Sequence, residues 1–102
     1  MSAKDILVAA KALISKPENW TQEVCARDAF GMPVASNDGA AICWCSIGAI
    51  NRVEHSGKDY NHALTTLESL VPHGSIPSFN DFPDRKHEEI LALFDRAIAE
   101  AE

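Results

Sequence analysis

Positive charge is scarce in this chain: nine Lys and Arg stand against fifteen Asp and Glu, a formal net charge of −6 over 102 residues. That balance argues against a phosphate-binding surface, because affinity driven by counterion release needs a concentrated basic patch. Long apolar runs are missing too, so neither a membrane span nor a membrane partner is expected. Met1-Ser2-Ala3-Lys4-Asp5 lacks the basic stretch and apolar run of a signal peptide, which makes the cytoplasm the expected location. Also missing are a nucleotide-binding glycine loop, a nucleophile elbow, a zinc-protease motif and a kinase motif set. Aromatics make up only 7% of the residues. Trp20 and Trp44 are therefore expected in the core, given the area each can bury, before any role in stacking on a planar ligand.

Cysteine is also sparse. Cys25, Cys43 and Cys45 make an odd count, and neighbours spaced Cys-x-Cys rarely bridge to each other. A reducing cytosol would keep all three as thiols. Zinc would need a further ligand from His55, His62, His73 or His87, and none stands at ligand spacing. Packing roles for the cysteines follow, with no metal and no cofactor.

What the chain does hold is a charge-free centre. The ten residues from Ala41 to Ile50 include no Asp, Glu, Lys or Arg in a sequence that is 24% charged. Such a stretch has to be almost wholly buried. It reads as a central helix over 41–55 with Ile42, Cys45, Ala49, Ile50 and Val53 on its apolar stripe. Gly48, costly inside a helix, points to close packing against a neighbour.

Around it, Ile6, Leu7, Ala10, Leu13 and Ile14 predict a first helix from residue 2 or 3 to 15, started by a Ser2–Asp5 capping box and stopped by Pro17. Residues 20–26 and 32–34 predict a hairpin around the turn Asp28-Ala29-Phe30-Gly31, with Pro33 confining the return strand to an edge. A third helix is expected over 58–71. Residues 72–83 read as an ordered loop anchored by Ile76, Phe79 and Phe82. A fourth helix over 84–101 carries Ile90, Leu91, Phe94, Ala97 and Ile98 on one face. The expected fold is one mainly α domain of four helices around a central small-residue helix, with a short β-hairpin inserted between helices 1 and 2.

Six polar residues are candidates for a site. Asn80 and Asp81 could present a fixed amide and carboxylate at a pocket mouth, although capping the last helix or closing its preceding turn is the expected use. Arg27, Asp28 and Arg52 could form a charge cluster, against the commoner fate of solvated ion pairs or, for Asp28, turn chemistry. Cys45 would serve chemistry only as an accessible thiol of lowered pKa beside a basic group.

The ordered set Asn19-Trp20-Thr21-Gln22, Arg27-Asp28 with Gly31 and Pro33, Trp44-Cys45-Ser46-Ile47-Gly48-Ala49-Ile50, and Asn80-Asp81 before Leu93-Phe94-Asp95-Arg96-Ala97 resembles a family of short bacterial and phage proteins catalogued only as a domain of unknown function. The resemblance covers most of the chain. It implies a small intracellular protein and supplies no activity or catalytic residue.

Two functions remain. The preferred one is a non-catalytic binding or regulatory module, whose hairpin and 72–83 loop face a protein or small-molecule partner. The alternative is a small enzyme or ligand-binding protein with Cys45, Asn80, Asp81 and Arg52 around a pocket beside the central helix. Nucleic acid is not an expected partner. Titrations of duplex DNA and single-stranded RNA at physiological salt should show no submicromolar binding, and a salt-dependent affinity in that range would overturn this reading.

Overall fold

Helix α1 (Ala3–Leu13) starts at the expected capping box: the Ser2 hydroxyl accepts from the Asp5 N–H over 3.1 Å, and the Asp5 carboxylate accepts from the Ser2 N–H over 3.2 Å. These bonds favour the ionised acid and hold the Asp5 carboxyl below its ordinary pKa. In the computed structural model, which describes residues 1–101, α1 packs against three later helices, α2 (Ser46–Val53), α3 (Lys58–Ser69) and α5 (His87–Glu100). Its stripe of Ile6, Leu7 and Ala10, with Ile14 just beyond, is completely buried. The His87 ring donates to the Ile14 carbonyl oxygen over 2.6 Å, joining the end of α1 to the start of α5.

Between α1 and α2 lies a three-stranded antiparallel sheet of order β2-β1-β3, with β1 Ala26–Arg27, β2 Pro33–Val34 and β3 Cys43–Trp44. The hairpin of β1 and β2 pairs Ala26 with Val34 and Arg27 with Pro33, so the proline sits on an edge strand. The third strand differs from the expectation. The charge-free run is not one helix over 41–55: its first part is β3, which pairs Ala26 with Trp44 and Arg27 with Cys43. A fully buried strand and a buried helix segment share the same uninterrupted apolar pattern, so periodicity alone does not separate them. Trp44, a strand former, also donates from its indole N–H to the Ser36 carbonyl oxygen over 2.9 Å.

The chain turns from strand to helix at Cys45. Its backbone is extended, and its sulfur accepts from the Gly48 N–H over 3.2 Å, so a thiol caps α2. Gly48 meets its neighbour as expected from its cost, but the neighbour is the Cys25 backbone just before β1. A Cβ at this position would stand 2.0 Å from the Cys25 carbonyl oxygen.

The 72–83 segment is also more regular than expected. A 3-10 turn (Pro72–Gly74) leads into a short helix, α4 (Ile76–Asp81). Proline in the first turn of a helix loses no needed N–H, so Pro77 begins α4. The Ser75 hydroxyl accepts from the Ser78 N–H over 3.2 Å as its cap. Ile76 is buried, but Phe82 is 51% exposed and does not anchor the segment; Ile42 likewise is 46% exposed and outside the core. Helix α5 begins at His87, later than 84, where the Glu89 carboxylate accepts from the Lys86 N–H over 2.7 Å. The described residues are thus mainly helical, with five α-helices and one small sheet among them.

Gly48→Ala tests the strand–helix contact. Alanine gains up to about 1 kcal/mol of helix propensity, but overpacking against fixed backbone costs about 1–3 kcal/mol or more. The clash should win by about 2 kcal/mol, lowering the melting temperature by roughly 8–16 °C. Gly39→Ala, into open space, should leave the melting temperature nearly unchanged.

Candidate functional site

Asn80 is only 1% exposed although it is polar, and every bonding group of its side chain is used. Its Oδ1 accepts from the Trp20 indole N–H (2.9 Å), the Ser46 N–H (3.0 Å) and the Ser46 hydroxyl (2.7 Å). Its Nδ2 donates to the Thr21 carbonyl oxygen (3.1 Å) and to Asp81 Oδ1 (2.9 Å). One carboxamide therefore joins the segment before β1, the first turn of α2 and the end of α4. The same Asp81 oxygen accepts from the Glu23 N–H over 2.8 Å, holding Glu23 at φ 76°, a left-handed backbone uncommon outside glycine. Gln22 closes the arrangement by donating to the carbonyl oxygens of Asn80 (2.9 Å) and Phe82 (3.0 Å). Neither Asn80 nor Asp81 caps α5 as the sequence suggested; they end α4 and bind backwards across the chain.

Cys45, Asn80 and Asp81 do come together. With Glu23, Cys25 and apolar walls from Val24, Ile47, Ile76 and Pro77 they line a pocket of about 140 Å³ beside α2. Its chemistry is not that of an activated thiol. Burial above all, helped by nearby Cys25 and Asp81, pushes the Cys45 thiol up to about 11 against the opposing bonds from the Gly48 and Ile47 N–H groups. Asn80 Oδ1 and Asp81 Oδ1 are already committed to the fold.

The other candidates lie elsewhere. The Arg27 guanidinium bonds neutral oxygens in place of the expected solvated ion pair: Thr21 Oγ1 at 2.9 Å and the carbonyls of Gly31 and Gln22 at 3.0 and 3.2 Å. Asp28 does turn chemistry, its Oδ1 accepting from the N–H groups of Phe30 (2.9 Å) and Met32 (3.0 Å). Arg52 is not beside Cys45. It donates to the carbonyls of Ser36 (3.3 Å) and Asp38 (2.8 Å) and lies 5.5 Å from the Trp44 ring centroid, a cation–π contact.

Sequence reasoning passed over several residues. Cys25 is exposed, contrary to its expected packing role, while Cys43 is buried and Cys45 half-buried. A second hollow of about 390 Å³ is lined by Cys25, Ser36, Asn37, Asn51, His55 and Tyr60, among others. The spacing of Asn51 and His55, one helical turn apart, was its only sequence signal. Phe30 is 90% exposed, as the third residue of a turn allows. Among the described residues, no group of three or more His, Cys, Asp or Glu side chains is placed to hold a metal ion, and no helix is long and apolar enough to cross a membrane.

Removing the Asn80 carboxamide leaves buried donors on Trp20 and Ser46 without an acceptor, each worth about 1–3 kcal/mol. Asn80→Ala should lower the melting temperature by roughly 10–20 °C, and Asp81→Ala by less. Unchanged or raised melting temperatures for both would remove the pair from the fold's support.

No curated protein and no solved structure matches the chain. Family comparison gives one finding, a match over residues 1–100. That span takes in the Asn80 node, the capped strand–helix junction and the hairpin alike, and by it the chain belongs to DUF6197, a family of unknown function.

Proposed function

We propose that this chain is a small non-catalytic binding module of a bacterium or its phage, acting inside the cell and engaging a protein partner through its hairpin and the neighbouring 72–83 segment. One observation carries the reading: Phe30, 90% exposed, stands on a turn whose backbone is fixed from both sides. Asp28 holds the N–H groups of Phe30 and Met32, and Arg27 holds the Gly31 carbonyl. Met32 is 61% exposed beside it. A turn whose backbone is already fixed has little backbone entropy to lose when a partner covers it. Gln22 bridges this tip to the second exposed aromatic, because its carbonyl accepts from Arg27 while its amide donates to the Phe82 carbonyl. The committed state of the polar groups and the raised Cys45 pKa support a non-catalytic role.

A second reading, a small-molecule site, draws on one observation. Asn51 Oδ1 is buried without a hydrogen-bond partner and lies on a residue lining the 390 Å³ hollow. Such an atom is matched by a ligand that brings a donor.

A photo-crosslinking side chain placed at position 30 in cells should give one discrete protein adduct that the same group at exposed Lys58 does not. Identical adduct patterns at the two positions would sink the docking reading.

A further inference from the structure

Extending the β1–β3 register by one residue beyond Ala26 and Trp44 sets Cys25 opposite Cys45, and the Cys45 N–H donates to the Cys25 carbonyl oxygen over 3.1 Å. Directly opposed residues of an antiparallel pair have Cα atoms about 4.5–5.5 Å apart, inside the range of about 4.4–6.8 Å that a disulfide spans. Opposed side chains share one face of the sheet, and both cysteines line the 140 Å³ pocket. The two differ in access: Cys25 is exposed and Cys45 is half-buried. Cys43 is buried, with its sulfur 3.9 Å from the Arg27 carbonyl oxygen.

We propose that Cys25 and Cys45 form a thiol–disulfide exchange pair, in which Cys25 takes up a low-molecular-weight disulfide from solvent and Cys45 resolves it. In the first step the Cys25 thiolate attacks one sulfur of the small disulfide. The S–S bond breaks, and the leaving thiolate takes a proton from solvent. In the second, Cys45 gives its proton to solvent and its sulfur attacks Cys25 Sγ, expelling the remaining small thiol. Two protein thiols are oxidised to one disulfide, and the small disulfide is reduced to two thiols.

The surroundings bear on the second step. The ionisable groups lining the pocket with Cys45 are Glu23, Cys25 and Asp81, none of them a cation. With its thiol pushed up to about 11, Cys45 is almost entirely protonated at neutral pH. The second step therefore draws on a small thiolate fraction at neutral pH, and the mixed disulfide on Cys25 comes before it. Because the attacking species is the thiolate, that step should quicken by about tenfold for each pH unit gained below 11.

The experiment incubates the reduced full chain with oxidised glutathione at pH 7 and pH 9 and follows intact mass and mapped peptides. The expected sequence is one glutathione on Cys25, then a species lighter than the reduced chain by two hydrogens, with Cys25 joined to Cys45 and faster closure at pH 9. Cys43→Ser should leave this unchanged, and Cys45→Ser, checked by circular dichroism for its fold, should trap the adduct on Cys25. Should Cys45→Ser fail to fold, the mapped wild-type peptides decide alone. Glutathione distributed over all three cysteines, an adduct on wild type that persists at pH 9, or a bridge to Cys43 or to a second chain would each overturn the proposal.

Discussion

A single carboxamide oxygen supports three parts of this fold. Asn80 Oδ1 takes the indole N–H of Trp20, the first backbone N–H of α2 and the hydroxyl beside it, all in a site closed to water. The N-terminus of a helix leaves N–H groups without partners, and burying one without an acceptor costs much of what a small domain has to spare. Two acceptors meet that demand at α2, the Cys45 sulfur from within the junction and Asn80 from another helix. With both in place the strand and helix can run directly into each other with no loop between them.

Gly48 imposes a matching steric condition. Its missing Cβ lets the Cys25 carbonyl oxygen rest against α2, which brings the thiols of Cys25 and Cys45 to one pocket. Polar residues here act chiefly as internal fasteners: Arg27 and Asp28 shape the hairpin turn, and Arg52 holds the 36–38 bend under Trp44. Phe30 and Phe82 stand out, exposed, from this polar frame.

Elements whose signal is local were legible in the sequence. The Ser2–Asp5 box, the stripe of α1 and the stripe of α5 read correctly because capping chemistry and a 3.6-residue period are written in adjacent positions. The hairpin's turn and edge strand were legible because Asp28, Gly31 and Pro33 each restrict the backbone, but its first strand is only Ala26–Arg27 and not 20–26. Strand β3 was hidden, since an uncharged run buried on all sides has no period to reveal. Helix α4 was hidden because its one proline, Pro77, resembles a breaker until it is placed in a first turn. Of the site, the nearness of Asn80 and Asp81 to Cys45 was guessed from chemistry, whereas Cys25 and the position of Arg52 depend on strand register. Phe79 and Phe82 carry the same side chain; only the chain's path made one half-buried and the other exposed.

The Asn80 bonds join residues 34 to 60 positions apart. Helical domains commonly fold fast because their contacts are local. Here the Ser46 N–H and the Trp20 indole wait for the Asn80 oxygen until α4 arrives from far along the chain. Closing a loop of that length comes before any of its reward, so this protein should cross its folding barrier more like a small β-domain than like a helical bundle. Its late event is then the arrival of one amide.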